Sequence, residues 1–478
     1  MSSKNISFVS IPSGLRKPGD YMEFNTRMAV NSLPANVQKV LLIGQRLTSG
    51  TVPALTPTQL FSSSDAADFF GAGSTLHLMA MAALNANPYL NLFAIANDDA
   101  GGSAPRQETI TFTVGTLSAG TVVIWIGDQY VQFSYTSTDT PTSIALAIKN
   151  AINALTSLPF TAAVAAGVIT LTAKNAGTVS GQIAFESGVT VGSGLTVAFA
   201  QTVPGTGDPD IHATGNVLDT ITPEQFDIVA SCYNTITILG YIKTYLNLVS
   251  GPIEERPGVC WAGLIDTVAN AVSLGDGVNS GRICIAHLKG CRTPAFQIAA
   301  AVAAVDASLS DPAMPRSGMV VSSIATPPVQ NRSTRTEQET LLSNGITPLE
   351  VADGEQVEIV RAVSSYITDT SLLDVTTIKT LDYTRLSIRS MMKTKYAQAK
   401  LRDATPTKIG TADAVKSDVY NVLLKLDDLD ILENVEANKD GIIVERDLQT
   451  SGQLNAKIPA DVVEGLSIFA GVIDLILQ

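Results

Sequence analysis

The chain has 478 residues, with 31 Lys and Arg against 44 Asp and Glu, a formal net charge of −13, and only 16% charged residues. At roughly 100–200 residues per domain this length suggests about two to four domains. The acidic balance without a long basic run argues against a general nucleic-acid binder, and no apolar run approaches the ~18 residues that would span a membrane.

Residues 1–34 read as an extended N-terminal arm. Ile6, Phe8, Ile11, Leu15 and the segment YMEFN are spaced by Pro12, Gly14, Pro18 and Gly19. They hold too little apolar area for a core, so the arm must pack on its own body or on a neighbour. The run QKVLLIGQ (38–45) predicts a buried strand. A helix is expected over 64–72, begun by Ser63 or Ser64, and another over 75–86. LNLFAIAND (90–98) predicts a second strand. Strand, helix, strand is the pattern of a parallel α/β layer, and 35–100 is read as the first part of a core.

Composition then shifts. Residues 101–205 contain seven charged residues, and Thr, Ser, Gly, Ala and Val dominate. TITFTV, TVVIWIG, YVQFSY, GVITLTA and QIAFES read as strands with Gly- or Ser-containing turns, interrupted by one helix over 143–155. Residues 101–210, ending at the turn-rich PGTGDPD, are read as an inserted β-rich peripheral domain.

The α/β pattern resumes over 211–459. FDIVASC, GVCWAGLI (258–265) and RICIAHL (282–288) predict strands. Pro294 is expected at the first position of an Ala-rich helix (295–305). Thr336 and Glu339 form a T-x-x-E capping box for a short helix ended by Gly345. VEIVRAVSSYIT (357–368) reads as one strand. A helix over 381–402 sets Arg385, Arg389, Lys393 and Lys400 on one stripe, opposite Leu381, Ile388, Met392, Tyr396 and Ala399. A helix over 412–432 carries Val415, Val419, Val422, Leu426 and Leu429 at helical spacing. Two strands, GIIVERD (441–447) and QLNAKIP (453–459), precede residues 460–478. These last are read as a short helix and then an extended apolar C-terminal arm bearing Ile468, Val472, Ile473, Leu475 and Leu477.

The search for chemistry finds little. The opening MSSKNISFV lacks the apolar stretch of a secretory signal, and the tail carries no lipidation motif. Cys232, Cys260, Cys284 and Cys291 form no C-x-x-C pair and are too sparse for a disulfide framework, so they read as reduced structural thiols. His77, His212 and His287 share no metal-ligand spacing, so no zinc site is expected. There is no P-loop, and GDGVNSG (275–281) lies between a helix and a strand, the reverse of a dinucleotide fingerprint. No G-x-S-x-G elbow appears. His287 is the least implausible general base, with a satisfied histidine at a strand end the simpler account. Asp427, Asp428 and Asp430 read as a solvated or partner-facing patch. No catalytic residue, cofactor or metal is assigned. The basic stripe is the informative charge feature: it reads as a solvated helix face or an electrostatic docking surface for an acidic partner, with nucleic acid a weak third choice because aromatic interleaving is sparse.

Several segments together resemble the contractile tail sheath proteins of bacteriophages, in their Mu-like branch. They are ISFVSIPSGLRKPGDYMEFN, DAADFFGAGSTLHLMAMAALNANP, TRTEQETLLSNGITPLEV, VEIVRAVSSYITD, TLDYTRLSIRSMMKTKYAQAKL and the closing IIVERD…LNAKIPADVVEGLSIFAGVIDLIL. The resemblance implies an α/β (α+β) multidomain chain. Its core would be discontinuous and subtilisin-like, without protease activity, carrying the inserted domain and two extended arms. It implies a homo-oligomer of stacked hexameric rings forming a helical sheath around an inner tail tube, with baseplate and tail terminator proteins as further partners. Assembly in the host cytoplasm, no nucleic-acid partner and no membrane insertion go with it. The arms would add strands to neighbours' sheets, through Ile6, Phe8 and Ile11 at one end and Ile468, Val472, Ile473, Leu475 and Leu477 at the other. Arg385, Arg389, Lys393 and Lys400 are the candidate tube-docking residues, with the terminal helix near 460–470 as the other candidate surface. An α/β hydrolase-like enzyme, or a tail-associated adhesin whose β-rich domain binds a host glycan, are the alternatives.

Overall fold

A computed structural model describes residues 17–20, 22, 33–401 and 411–475. The described residues fall into two compact units, with 36–380 and 464–475 in one, and 17–20, 22, 33–35, 381–401 and 411–463 in the other.

The first unit is built on a parallel sheet. Its strands and helices begin with β1 (Lys39–Gln45), β2 (Thr58–Leu60), α1 (Ser63–Phe70), α2 (Thr75–Ala86) and β3 (Asn91–Asn97). The two apolar runs expected as buried strands thus pair in parallel over seven residues, from Lys39 opposite Asn91 to Gln45 opposite Asn97. α1 starts one residue before either serine expected to begin it. Ser62 is the cap, its hydroxyl accepting from Asp65 N at 3.1 Å.

The β-rich stretch forms two small antiparallel sheets around one helix. Its elements are β4 (Gln107–Val114), β5 (Gly120–Ile126), β6 (Gln129–Tyr135), α3 (Pro141–Ala154), β7 (Phe160–Ala165), β8 (Val168–Ala173), β9 (Phe185–Val189) and β10 (Leu195–Val203). Strand orders are β10-β4-β8-β7 and β6-β5-β9. α3 buries Ile144, Ala145, Ile148 and Ile152, and Thr140 with Ser143 closes its capping box. Sequence reading missed β7, which is Ala-rich, and β10. It also extended β9 back to Gln182, where a short 3₁₀ turn, Thr178–Gln182, stands instead.

The chain then returns to the large sheet through α4 (Val217–Ile221), β11 (Ile228–Ser231), α5 (Ile236–Val249), β12 (Val259–Leu264), α6 (Val268–Val278), β13 (Ile283–His287), α7 (Ala295–Asp306), α8 (Arg335–Ser343), β14 (Thr347–Ala352) and β15 (Gln356–Ile359). The finished sheet runs β15-β14-β13-β12-β11-β1-β3-β2. Its six inner strands are parallel, and β2 and β15 close the edges antiparallel. Order reverses between β1 and β11, which makes the gap between their carboxyl ends a topological switch point.

α7 is buried along its whole length, because alanine lets a helix approach a sheet closely. Gly263 in β12 completes that fit: a Cβ there would fall 1.8 Å from the Ala295 carbonyl oxygen. Gly263→Ala is therefore expected to cost at least ~2 kcal/mol by overpacking, read as a lowered urea midpoint of the disassembled chain.

Three expectations are corrected here. Pro294 sits at the cap of α7, not inside it, and accepts from Gln297 N and Ile298 N. The capping box of α8 is Thr334 with Glu337, not Thr336 with Glu339. The T-x-x-E pattern occurs twice in overlap, and Glu337 also pairs with Lys289 at 2.7 Å. The strand expected over 357–368 ends at Ile359. Beyond it Arg361 turns to a bidentate pair with Asp374, at 2.9 and 2.7 Å. Val363 bonds through both its N–H and its carbonyl to Thr347 Oγ1. β14 went unread because Pro348 and Glu350 disguise it.

α9 (Val375–Tyr396) begins six residues before the expected helix, and the division between the two units falls within it, after Thr380. The second unit continues with α10 (Ala412–Asp427), α11 (Val435–Asn438), β16 (Ile443–Arg446) and β17 (Leu454–Lys457). Val415, Val419, Val422 and Leu426 of α10 form its core with Tyr383, Ile431, Leu432 and Ile442. α10 stops short of 432, and Leu429, expected on its apolar stripe, is exposed.

Candidate functional site

The histidines and the switch point are where chemistry would be sought first. His77 Nδ1 accepts from Gly73 N at 3.1 Å, and burial pushes its pKa down. His212 stacks on Tyr241 at 4.6 Å. His287 Nε2 lies 2.7 Å from the Asp266 carbonyl oxygen, and burial lowers its pKa too. All four cysteines are buried and unbridged, with burial raising each thiol's pKa. Among the described residues, no three His, Cys, Asp or Glu side chains group as metal ligands. No described helix is long and apolar enough to cross a membrane.

The carboxyl ends of β1, β3 and β11, where a doubly wound sheet takes its ligand, are covered by residues 175–182 of the β-rich stretch. Asn175 Oδ1 accepts from Thr75 N at 3.0 Å, and its Nδ2 donates to Arg46 O at 2.9 Å. Gln45 Nε2 donates to Ala176 O at 2.7 Å and to Asp99 Oδ1 at 2.8 Å. Asp99 Oδ2 accepts from Ala176 N. Gln182 Nε2 donates to Cys232 O at 3.0 Å, just past β11. Further out, the Arg292 guanidinium lies 4.3 Å over the Trp125 ring. The chain thus fills its own switch point with protein, and apolar residues of the stretch and of the large sheet share one core.

The charge stripe is partly rearranged. Arg385, Arg389 and Lys393 follow one another at helical spacing on α9, with Arg385 pairing to Asp382 at 3.1 Å. Arg389 and Lys393 are exposed. Lys400 lies beyond the helix, which ends at Tyr396, and so leaves the stripe. Lys395 and Tyr396 both bond to Asp418. Asp428 and Asp430 are exposed near the end of α10.

The C-terminal segment is the most exposed apolar feature. Residues 464–475 contain no helix, contrary to the short helix expected near 460–470. Leu466, Ile468, Phe469, Val472, Ile473 and Leu475 are 79–98% exposed. Leu466 and Phe469 were not singled out in the sequence, although the same apolar run carries them. Ile6, Phe8, Ile11 and Leu477 lie outside the described residues. In the second unit, β16 and β17 form a two-stranded sheet, so each strand has an outer edge with no partner strand among the described residues.

Comparison with known proteins bears on this arrangement. The family model for the phage tail sheath protein central domain matches residues 210–365, and that for the phage tail sheath C-terminal domain matches 368–476. The Mu-like prophage FluMu tail sheath protein of Haemophilus influenzae is 28% identical over 491 residues, covering 99% of this chain and 100% of that protein. The fold is similar to a sheath tail protein from Desulfitobacterium hafniense, with TM-score 0.52, 14% identity, and 94% and 97% of the two chains covered. It is also similar to the sheath complex of the PVC extracellular contractile injection system in its contracted state, with TM-score 0.52, 11% identity, and 97% and 98% covered.

Proposed function

The chain belongs to the phage tail sheath family and is a structural subunit of a contractile tail sheath, not an enzyme, and from that premise we propose how its surfaces assemble. Copies polymerise as stacked hexameric rings around an inner tail tube, between a baseplate and a tail terminator. Assembly takes place in the host cytoplasm, and the finished sheath is part of the virion tail. Contraction drives the tube through the host envelope. The chain acts here without nucleic acid and without entering the membrane itself.

One observation carries this reading: six large apolar side chains stand exposed on one extended segment, residues 464–475. Hiding a large apolar side chain is worth about 1.5–3 kcal/mol, so such a segment is stable only when something covers it. A neighbour's sheet edge suits it. A donated strand satisfies the edge's N–H and C=O groups, and alternate side chains fill pockets. The open edges of the β16–β17 pair are natural acceptors, since a two-stranded sheet is marginal alone. Residues 1–34 are assigned the same role at the other end. Linked through extended arms, protomer bodies can rotate and slide without separating, the rigid-body rearrangement contraction requires.

The subtilisin-like description of the core belongs to this reading, as do the boundaries 1–34, 35–100, 101–210, 211–459 and 460–478. Residues 101–210 would be peripheral, on the outside of the sheath. The tube-facing surface is assigned to Arg385, Arg389 and Lys393 on α9, with Lys400 beyond its end, and it requires an acidic tube surface. The test is the double variant Arg389→Glu, Lys393→Glu, co-expressed with the tube protein. We expect sheath–tube co-sedimentation to fall at least tenfold at low salt, and the difference from the natural chain to narrow as added salt screens the contact. Unchanged co-sedimentation would remove the stripe from the tube interface.

A further inference from the structure

Between the carboxyl ends of β1 and β3 and the β7–β8 side of the β-rich stretch lies a cleft of about 790 Å³. That is within the range of small-molecule sites. Its polar lining comes from both parts of the first unit: Arg46, Thr48 and Ser49 after β1, Asp98 and Asp99 after β3, and Thr156, Thr161 and Lys174 from the β-rich stretch. Both Asp99 oxygens already accept, from Gln45 Nε2, Asn175 Nδ2 and Ala176 N.

Lys174 is the unusual group. It is half-buried, and its ammonium donates to two neutral oxygens, Thr156 O at 2.7 Å and Ala72 O at 3.0 Å. An ammonium has three protons to donate, and among the described residues no carboxylate pairs with it. Burial pushes its pKa down, as expected for a cation without a counter-charge. The backbone is shaped to hold it there. Gly73 has φ +80°, and a Cβ at that position would fall 2.6 Å from Nζ.

The other wall is a matched donor and acceptor set. Arg46 Nε holds Asp98 Oδ1 at 2.7 Å and Arg46 Nη1 reaches Val52 O at 2.9 Å, which fixes both side chains at the rim. Asp98 Oδ2 is left to accept. The hydroxyls of Thr48, Ser49 and Thr156 have no protein partner among the described residues and can donate or accept. No aromatic ring lines the cleft, so nothing offers a stacking platform for a neutral sugar face.

We propose that this cleft binds an acidic saccharide unit, its carboxylate on Lys174 Nζ and its ring hydroxyls on Asp98, Ser49, Thr48 and Thr156. An anion supplies the charge-assisted bond that Lys174 lacks, and the hydroxyl and carboxylate wall selects a polyol over a bare ion. None of the lining residues is among those assigned above to assembly, and a sheath displaying the cleft would carry many copies, so weak sites would act together.

Isothermal titration of the full-length protein with a galacturonic acid trisaccharide tests this, with a galactose trisaccharide and inorganic phosphate as controls. Binding of the acidic trisaccharide is expected, at least tenfold tighter than of the neutral one. Lys174→Met should weaken it at least tenfold and Lys174→Arg should restore part of it. Asp98→Asn, at an exposed rim position, should weaken it several-fold without moving the thermal midpoint. No binding, equal binding of the neutral trisaccharide, or wild-type affinity in both Lys174→Met and Asp98→Asn would each overturn the proposal. Phosphate displacing the acidic trisaccharide at equal concentration would overturn it too, because the cleft would then read only charge.

Discussion

Asp306→Ala is expected to destabilise residues 36–380 by about 3–5 kcal/mol, the cost of leaving buried charges without their partner. The carboxylate is fully buried at the end of α7. It accepts from Arg316 Nε at 3.0 Å, Lys379 Nζ at 2.8 Å and Trp261 Nε1 at 3.0 Å. Arg316 and Lys379 are themselves almost entirely buried. Two cations around one carboxylate leave a net positive charge in the interior, so removing the carboxylate strands both cations. Urea unfolding followed by fluorescence reads this directly, because Trp261 is one of only two tryptophans. Asp306→Asn should cost less, since an amide oxygen can still accept from Trp261. Replacing all three charged groups by apolar residues of similar size should recover most of the loss. The pH dependence has a definite sign. Burial pushes the Asp306 carboxyl up, but Lys379 and Arg316 pull it down further, to about 2. A carboxyl lowered from its unfolded value near ~3.9 contributes stability that is complete above that value and is lost as pH falls toward 2. An unchanged urea midpoint in Asp306→Ala would show that the cluster is not holding α7 to the sheet.

The sequence announced this cluster only faintly. AFQIAAAVAAVD is a helix with one charge, at its last position, and an acid at the C-terminal end of a helix opposes the macrodipole. That conflict was legible. Its resolution was not, because Arg316 and Lys379 come from a loop and from α9, and only the fold brings them together. The same limit divides the rest of the molecule. β1, α2 and β3 were readable almost to the residue, since a buried parallel strand is a continuous apolar run and α2 is mostly apolar. β14 was not, because pairing with β13 and β15 overrides the poor strand propensities of Pro348 and Glu350. The helix–strand alternation on either side of residues 101–210 was visible as a composition shift. That residues 175–182 close the switch point of the large sheet was not, since Gln45, Asn175 and Gln182 carry no local pattern. The stripe on α9 was legible as periodicity, but the loss of Lys400 from it depends on where the helix stops.

Replacing Ile468, Val472, Ile473 and Leu475 together by Ser is expected to abolish sheath formation while leaving the protomer folded. The two halves of that expectation rest on the same exposure. Side chains that already stand in solvent contribute almost nothing to the stability of the chain that carries them, so the urea midpoint of the disassembled protein should not move. In a polymer where the arm lies in a neighbour's sheet, each side chain is worth about 1.5–3 kcal/mol. Area-based values overestimate by roughly 10–40%, so the low end of the sum, reduced accordingly to roughly 4 kcal/mol, is the safer figure. At about 1.4 kcal/mol per tenfold, the concentration needed for assembly rises by roughly 10³. Polymer should therefore vanish at concentrations where the natural chain forms long sheaths, as read by sedimentation and negative-stain microscopy. The conservative set Ile468→Val, Ile473→Val and Leu475→Ile keeps the apolar alternation and should still polymerise. Swapping Asp474 for Lys, with the apolar positions intact, separates strand addition from charge. A donated strand sets side chains alternately to the two faces, so Asp474 lies away from Ile473 and Leu475, on the face of Ile468 and Val472; continued assembly of Asp474→Lys would assign the linkage to apolar strand addition rather than to charge. Long sheaths from the four-serine variant would show that the apolar arm is not what links protomers, and would shift that role to residues 1–34.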